Sequence, residues 1–189
     1  MMLEGLIGQV EPAVTDPASL PPLETWTPPL SGDMALSIAA DGRWYHEGRV
    51  MSRPRLVRLL STILRREADG DYYLVSPVEK WRIQVEDRPL LIVDADREAD
   101  APGGGWRLTT NLGDTLVLGR EHRLALSPMP GGDVIPEVPV RHGLAARLNR
   151  NVYYRLLDVA ESRQVAGSEE WGLVSGGVWQ PLGRLEPDA

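Results

Sequence analysis

The sequence predicts an α+β protein made of two similar halves, each with strands, a helix and a hairpin. Three observations support this fold class. Apolar residues alternate with a period of two in several short segments, they recur with helical spacing in one segment of each half, and the order of these segments repeats. The 189 residues suffice for one ordinary domain or two small ones.

The N-terminal segment, residues 1–31, is rich in proline. Its prolines are Pro12, Pro17, Pro21, Pro22, Pro28 and Pro29. Proline removes a backbone hydrogen-bond donor and fixes φ, so we expect an extended or disordered arm rather than a helix or a paired strand. Trp26 lies in this arm, and an apolar ring in a polar segment predicts a contact that pins the arm to the body of the protein.

The first half of the protein, residues 32–87, begins with a pattern typical of short antiparallel strands. Apolar residues alternate at Met34, Leu36 and Ile38, and Asp41-Gly42 suits a two-residue hairpin turn. The following residues, Arg43–His46, are predicted to return as the partner strand.

One amphipathic helix followed by a hairpin completes the first half. Ser52 is a favourable N-cap, and we expect the helical region to end at Asp69-Gly70. The apolar stripe follows the i, i+3, i+4, i+7 spacing at Leu56, Leu59, Leu60 and Ile63. Tyr72–Ser76 and Lys80–Glu86 are predicted to form the hairpin strands, because Pro77 breaks the chain between them.

The second half, residues 88–184, repeats this order, and residues 185–189 form a short tail. Segment 150–157 lies over segment 53–60 at an offset of 97 residues (Arg53 to Arg150), and each is preceded by a capping residue. After each helix comes an aromatic residue, one further residue and Leu-Val-Ser. This ordered agreement favours an internal duplication, and it predicts a second helix over 151–160. Before that helix we expect a loop at 94–105 and a helical turn at 143–148.

Charge and composition exclude several classes of function. The formal net charge of −7 argues against general nucleic-acid binding and against docking on an anionic membrane. The absence of cysteine excludes disulfides, thiol nucleophiles and thiolate metal sites. The N-terminal residues lack the basic start and apolar run of a signal peptide, and no segment approaches the ~20 apolar residues of a membrane span. We therefore expect a cytoplasmic protein.

No sequence motif identifies a catalytic, metal or cofactor site. A Gly-x-Ser-x-Gly elbow is absent, and the glycines at 103–105 lead into a strand rather than a helix. The three histidines lack ligand spacing, and the acidic segment that starts at Asp94 fails the calcium-loop pattern at its glycine and its terminal glutamate. We expect no bound cofactor or metal, and the balance leans against an enzyme.

Lys80 is the single lysine of the chain, beside 19 arginines. A compact, titratable ammonium differs chemically from the planar arginine fork, so this position is a candidate for a functional role. The preceding residue, Glu79, should point to the opposite side of the strand, so we expect no ion pair between these two neighbours. An ordinary hairpin with surface charges stays open as the alternative.

Five segments together resemble the bacterial "domain of unknown function 1285" family, and the likeness runs from about Trp26 to Leu182. They are Trp26-Thr-Pro-Pro-Leu-Ser-Gly-Asp33, Asp41-Gly-Arg-Trp-Tyr-His-Glu-Gly48, Arg53-Pro-Arg-Leu-Val-Arg-Leu-Leu-Ser61, Leu74-Val-Ser-Pro-Val-Glu-Lys80 and Thr110-Asn-Leu-Gly-Asp114. The resemblance implies a duplicated core whose C-terminal half is pleckstrin-homology-like. It also implies a ligand pocket between the halves, a nucleotide-like ligand and a role in bacterial signal transduction.

These observations favour a non-enzymatic small-ligand binding or sensor protein. In this hypothesis Arg53, Arg150 and Lys80 meet phosphate charge, because cationic side chains bind phosphate through charge-assisted hydrogen bonds. The remaining candidate ligand-binding residues are Glu79, Asn111, Asp114 and Tyr154. A protein-interaction module with a signalling partner is the alternative, and a hydrolase that uses acidic residues such as Asp33 and Asp114 is weighed last.

Overall fold

The computed structural model describes residues 2–13, 19–101 and 103–185. The chain divides into two compact units. Unit 1 comprises Met1–Glu86 and His142–Leu144, and unit 2 comprises Asp87–Arg141 and Ala145–Ala189. Within the described parts of the chain, none of the helices has the length and apolarity that crossing a membrane requires.

Unit 1 is built on a six-stranded sheet in the order β3-β2-β1-β6-β5-β4. The strands are β1 (Gly32–Ile38), β2 (Trp44–His46), β3 (Arg49–Val50), β4 (Leu64–Arg66), β5 (Tyr72–Val75) and β6 (Lys80–Val85). Neighbouring strands are antiparallel except for the central parallel pair β1–β6. The predicted alternation in β1 is observed, since Met34, Leu36 and Ile38 are all buried.

The helix of the first repeat, α2 (Pro54–Thr62), differs from its prediction at both ends. Its N-cap is Arg53 rather than Ser52, because proline favours the first helical position and the cap is then the residue before it. The helix ends at Thr62, with Ile63 as its C-cap, rather than near Asp69, and Leu64 pairs with Leu74 in the sheet. Cross-strand pairing therefore overrides the helical spacing of the apolar residues at this point.

The prediction of an arm without helix is wrong for its first residues. Residues Met2–Val10 form helix α1, and its buried side chains Leu3, Leu6 and Val10 follow helical spacing. The prolines that suggested an extended chain begin only at position 12, so they do not interrupt this helix. Two polar bonds fasten α1 to the β5–β6 turn, because the Gln9 amide donates to Glu79 and accepts from Ser76.

Unit 2 carries a second six-stranded sheet in the order β10-β11-β12-β7-β8-β9. The strands are β7 (Leu90–Glu98), β8 (Gly105–Thr110), β9 (Thr115–Val117), β10 (Ala125–Pro128), β11 (Val134–Arg141) and β12 (Leu144–Leu148). Two predictions are therefore wrong. The acidic first part of the loop predicted at 94–105 belongs to strand β7, and the segment predicted as a helical turn at 143–148 forms strand β12. In β12 the apolar residues Leu144, Ala146 and Leu148 alternate along the strand and are buried, and the strand pairs with β7 in parallel.

The repeat predicted from the sequence is confirmed. Helix α3 (Arg150–Asp158) is followed by the antiparallel strands β13 (Glu161–Val165), β14 (Ser168–Ser175) and β15 (Val178–Leu185), as α2 is followed by β4, β5 and β6. Asn149 is the predicted N-cap of α3, and its side chain accepts from the Val152 amide at 2.8 Å. The fold class is α+β with two similar halves, while a pleckstrin-homology-like second half stays a prediction.

Candidate functional site

A two-lobed groove lies in unit 1 between α1, β3 and the start of α2. Its lobes have volumes of about 680 and 780 Å³. Both lobes are lined by Ile7, Ser52, Arg53 and Leu56, so these residues stand where the lobes meet. We call this feature the arginine groove, because Arg49 lines one lobe, Arg55 the other and Arg53 both.

The local sequence explains why three arginines converge here. Arg49 is on the edge strand β3, Arg53 caps α2, and Arg55 lies in the first turn of α2 after the proline. All three are exposed, and within the described residues none of them makes a side-chain hydrogen bond or an ion pair. Their charges are therefore available to a ligand. The half-buried side chains of Ile7 and Leu56 supply apolar surface beside these charges.

Lys80 lies in unit 1, and other residues of that unit bind its ammonium group. Its Nζ is 2.8 Å from a carboxylate oxygen of Glu67 and 4.7 Å from the centre of the Tyr73 ring. Arg65 binds the same carboxylate at 2.6 Å and also donates to the backbone carbonyls of Leu23 and Trp26. This cluster ties residues 23–26 to the sheet, and the side chain of Lys80 is only 17% exposed.

The electrostatics of this cluster favour the charged carboxylate of Glu67. Burial raises the pKa of Glu67, but hydrogen bonds and charge from Lys80 and Arg65 outweigh it and hold the pKa below its ordinary value. Glu79, which precedes Lys80 in the chain, accepts a hydrogen bond from the side-chain amide of Gln9 at 3.2 Å. Glu79 and Lys80 thus have separate partners, as the sequence predicted.

The other predicted site residues lie in unit 2. Asn111 accepts from the Leu91 amide at 3.1 Å, and the carboxylate of Asp114 binds Arg141 at 2.8 Å. Asp114 also accepts from the Thr110 hydroxyl, so this carboxylate holds the β8–β9 turn. Both Asn111 and Asp114 are therefore engaged in local structure.

Arg150 and Tyr154 are brought together by one turn of α3. Arg150 binds Asp133 at 2.7 Å, and its hydrogen bonds with Asp133 and Tyr154 raise its pKa. Tyr154 is 53% exposed and lies against Tyr153 with 5.9 Å between ring centres. Of the seven predicted residues, Arg53 alone lines the arginine groove.

Sequence reasoning did not select Arg49, Arg55 or Ile7 as site residues. The Arg-Pro-Arg start of α2 was a usable signal for Arg55, because an N-terminal proline places the flanking residues around the first helical turn. The contribution of Ile7 depends on how α1 packs, which the sequence pattern did not reveal. Among the described residues, no group of three or more histidine or acidic side chains is arranged to hold a metal ion.

Comparison with known proteins places the chain in a family. Family models described as "Domain of unknown function (DUF1285), N-terminal domain" and "Protein of unknown function (DUF1285), C-terminal domain" match residues 21–88 and 89–182. A crystal structure of a DUF1285 family protein from Silicibacter pomeroyi DSS-3 is 36% identical, covers 94% of each chain and has a TM-score of 0.81. The chain belongs to the DUF1285 family.

A second solved DUF1285 family protein, from Shewanella baltica OS155, is also similar to the chain. It is 30% identical, covers 66% of this chain and 91% of its own, and has a TM-score of 0.53. No curated protein matches the chain. The family resemblance predicted from the five sequence segments is thus confirmed, and the family descriptions assign no activity.

Proposed function

We propose that this DUF1285 protein is a non-enzymatic binding protein for a small anionic, nucleotide-like ligand, and that the arginine groove receives the charged part of that ligand. The observation that carries the proposal is the set of three unpaired guanidinium groups at Arg49, Arg53 and Arg55 on the walls of one groove. The family resemblance adds a sensor role in signal transduction to this proposal, and the sequence adds the cytoplasm as its location; a sensor needs binding without turnover.

Three glutamates, Glu4, Glu11 and Glu47, line the groove beside the three arginines, so the support for an anionic ligand comes from the guanidinium groups and not from a net positive charge. Surface arginines commonly pair with nearby carboxylates, yet these three do not do so within the described residues. The planar guanidinium binds phosphate oxygens through two parallel hydrogen bonds. The N-terminus of the nine-residue helix α2 lies at Arg53, and its partial positive charge adds to the same potential.

The shape of the groove supports a ligand with an apolar or planar part. Each lobe falls within the roughly 300–1,000 Å³ of typical ligand sites. The lobe beside α2 is lined by Ile7, Pro54, Leu56 and Leu59 next to Arg53. A nucleotide fits this division, because its base can lie on apolar side chains while its phosphates meet the arginines.

Isothermal titration of the purified protein with ATP, GDP, inorganic phosphate and uncharged adenosine tests the proposal. We expect a nucleotide to bind and adenosine to bind much more weakly, because adenosine lacks the phosphates. Replacing Arg53→Ala should weaken nucleotide binding by about tenfold or more, the usual effect of losing a hydrogen bond to a charged group. Arg53→Lys should retain only part of the affinity, since lysine keeps the charge and loses the fork.

Arg58→Ala is the matched control. Arg58 is an exposed arginine of the same helix and lines neither lobe, so its removal should leave nucleotide affinity unchanged. Equal losses for Arg53→Ala and Arg58→Ala would show a general charge effect and contradict the groove assignment. Failure of every anion to bind wild-type protein would contradict the proposed function itself.

The observed contacts argue against the two alternative functions that the sequence left open. A free N-terminal docking arm is disfavoured, because α1 and the backbone of Leu23 and Trp26 are fastened to unit 1. The acidic residues weighed for a hydrolase are both occupied, since Asp33 pairs with Arg82 and Asp114 with Arg141. Binding of an anion therefore accounts for more of the observed side-chain arrangement.

A further inference from the structure

Strand β13 forms an open edge of the three-stranded sheet of unit 2. It pairs with β14 on one side, and within the described residues no strand pairs with its other side. Four of its five side chains are exposed: Glu161, Ser162, Arg163 and Gln164. An exposed edge presents a row of unpaired backbone N–H and C=O groups, which is a template for another strand.

The hairpin that joins β13 to β14 fixes which backbone groups point outward. Two residues connect the strands, and Ala166 and Gly167 have φ of 51° and 84°, as a type I′ turn requires. The closing pair of such a turn, Val165 and Ser168, is therefore hydrogen-bonded. Because hydrogen-bonded and non-hydrogen-bonded pairs alternate, Ser162 and Gln164 direct their backbone N–H and C=O groups away from β14.

We propose that two copies of this chain associate through β13, antiparallel, about a two-fold axis at Ser162. Ser162 then faces Ser162 of the second copy, and each of the two residues donates its N–H to the carbonyl of the other. Gln164 faces Ala160 of the second copy, and its N–H can donate to the Ala160 carbonyl, whereas the Ala160 N–H already donates to the Leu157 carbonyl of its own chain at 3.1 Å. The two three-stranded sheets thereby become one six-stranded sheet.

Side-chain charge selects this register. With the axis at Ser162, Glu161 stands opposite Arg163 of the second copy, and the pair occurs twice. These are non-hydrogen-bonded pairs, in which cross-strand side chains are closest. Moving the axis by one residue keeps the backbone pairing possible but sets Glu161 against Glu161 or Arg163 against Arg163, which is destabilising.

The two charged side chains are also available for this pairing. Glu161 lies opposite Gly172, which has no side chain, and it has no ion pair among the described residues. The guanidinium of Arg163 lies 4.1 Å from the centre of the Trp179 ring and 3.8 Å from the carboxylate of Glu170, and its side chain is still 44% exposed. Arg184 binds Glu170 more closely, at 2.7 Å, so the Arg163 guanidinium keeps donors for a second carboxylate. A cation held on a ring is already ordered, so less side-chain freedom is lost when it meets a carboxylate.

The interface consists of one short strand pair, so the association should be weak and depend on protein concentration. Sedimentation velocity of the full chain over about 1–500 µM should show the dimer growing with concentration. Glu161→Arg replaces two attractive pairs with two repulsive ones and should raise the dimer dissociation constant at least about tenfold. Glu121→Arg makes the same charge change at another exposed position of unit 2 and should leave the constant unchanged.

Disulfide trapping tests the register, because the natural chain contains no cysteine. In the proposed dimer the two Cα atoms at position 162 lie about 5.5 Å apart, within disulfide reach. The two Cα atoms at position 164 lie about 14 Å apart, since they are offset by four residues along the strands in addition to the separation between the strands. Ser162→Cys should therefore form a disulfide-linked dimer under mild oxidation, and Gln164→Cys should stay monomeric.

Ser162→Pro separates a failed dimer from a failed fold. The N–H at this position points outward, so proline removes the central intermolecular bonds while the bonds of its own sheet remain. We expect unchanged thermal stability of dilute protein and loss of the dimer. Monomeric wild type up to the highest concentration, or cross-linking of Gln164→Cys as fast as Ser162→Cys, would overturn the proposal.

Discussion

Replacing Asp87→Asn should strongly destabilise unit 2, because it leaves a buried arginine without its counter-charge. The side chains of Arg147 and Asp87 are 1% and 2% exposed. Two hydrogen bonds of 3.0 and 2.7 Å join them in a bidentate pair. Breaking one partner of a buried pair costs about 3–5 kcal/mol.

The expected cost lies near the lower end of that range, about 3 kcal/mol, because Arg147 keeps other acceptors. Its guanidinium also donates to the Ser127 carbonyl at 3.0 Å and to the Ser127 hydroxyl at 2.6 Å. For a chain of this size such a loss lowers the melting temperature by roughly 6–12 °C. Urea unfolding should show the loss as a lower midpoint with an unchanged slope.

A double-mutant cycle separates the ion pair from simple packing. Arg147→Met alone strands the buried carboxylate of Asp87, whereas the double variant removes both charges. We expect the double variant to be more stable than the sum of the single losses predicts, with a coupling of at least about 2 kcal/mol. Additive losses, or a cost below about 1 kcal/mol for Asp87→Asn, would refute the reasoning.

Three further predictions concern charge and backbone geometry. Because the pKa of Glu67 is lower in the folded protein than its ordinary value of 4.5, the charged carboxylate stabilises the fold above pH 4.5, and this stability is lost as the pH falls through the folded-state pKa. Glu67→Gln should therefore make the free energy of unfolding fall less steeply below about pH 4.5. Gly143→Ala should cost more than Gly48→Ala by thermal unfolding, because both have positive φ but only at Gly143 would the new Cβ meet a backbone oxygen, at 2.7 Å. Gly172→Ala should lower the melting temperature by several degrees, since its Cβ would clash with the backbone carbonyl oxygen of Gln180, and equal stability to wild type would contradict that geometry.

Periodicity predicted the repeat but not all of its boundaries. Asn149 and the apolar spacing behind it identify α3, because capping and helical spacing are local properties. The end of α2 was missed because Leu64 fits either a helix or a strand, and its pairing with Leu74 is a tertiary fact. Helix α1 was missed because proline composition was averaged over a segment whose first eleven residues contain no proline.

The candidate site was predictable only in part, because the partners of its side chains depend on tertiary packing. Arg53 drew attention because it aligns with Arg150 in the repeat, and it does line the arginine groove. The partner of Lys80 could not be found from spacing, since Glu67 reaches it only because β4, β5 and β6 are neighbours in the sheet. Lys80 drew attention because it is the single lysine of the chain, but its side chain is paired with Glu67. Tertiary packing, which the sequence does not show, decides which charged side chains lack an ion-pair partner.

The segment His142–Leu144 has a consequence for how the protein is made. It belongs to unit 1, where the His142 carbonyl accepts from the Arg66 amide at 3.0 Å, although the residues on both sides of it belong to unit 2. During synthesis, unit 1 therefore remains incomplete until the ribosome has passed Leu144, when most of unit 2 has already been made. A gene split after Glu86 would encode unit 1 without residues His142–Leu144, so the boundary between the two halves of the sequence differs from the boundary between the two compact units.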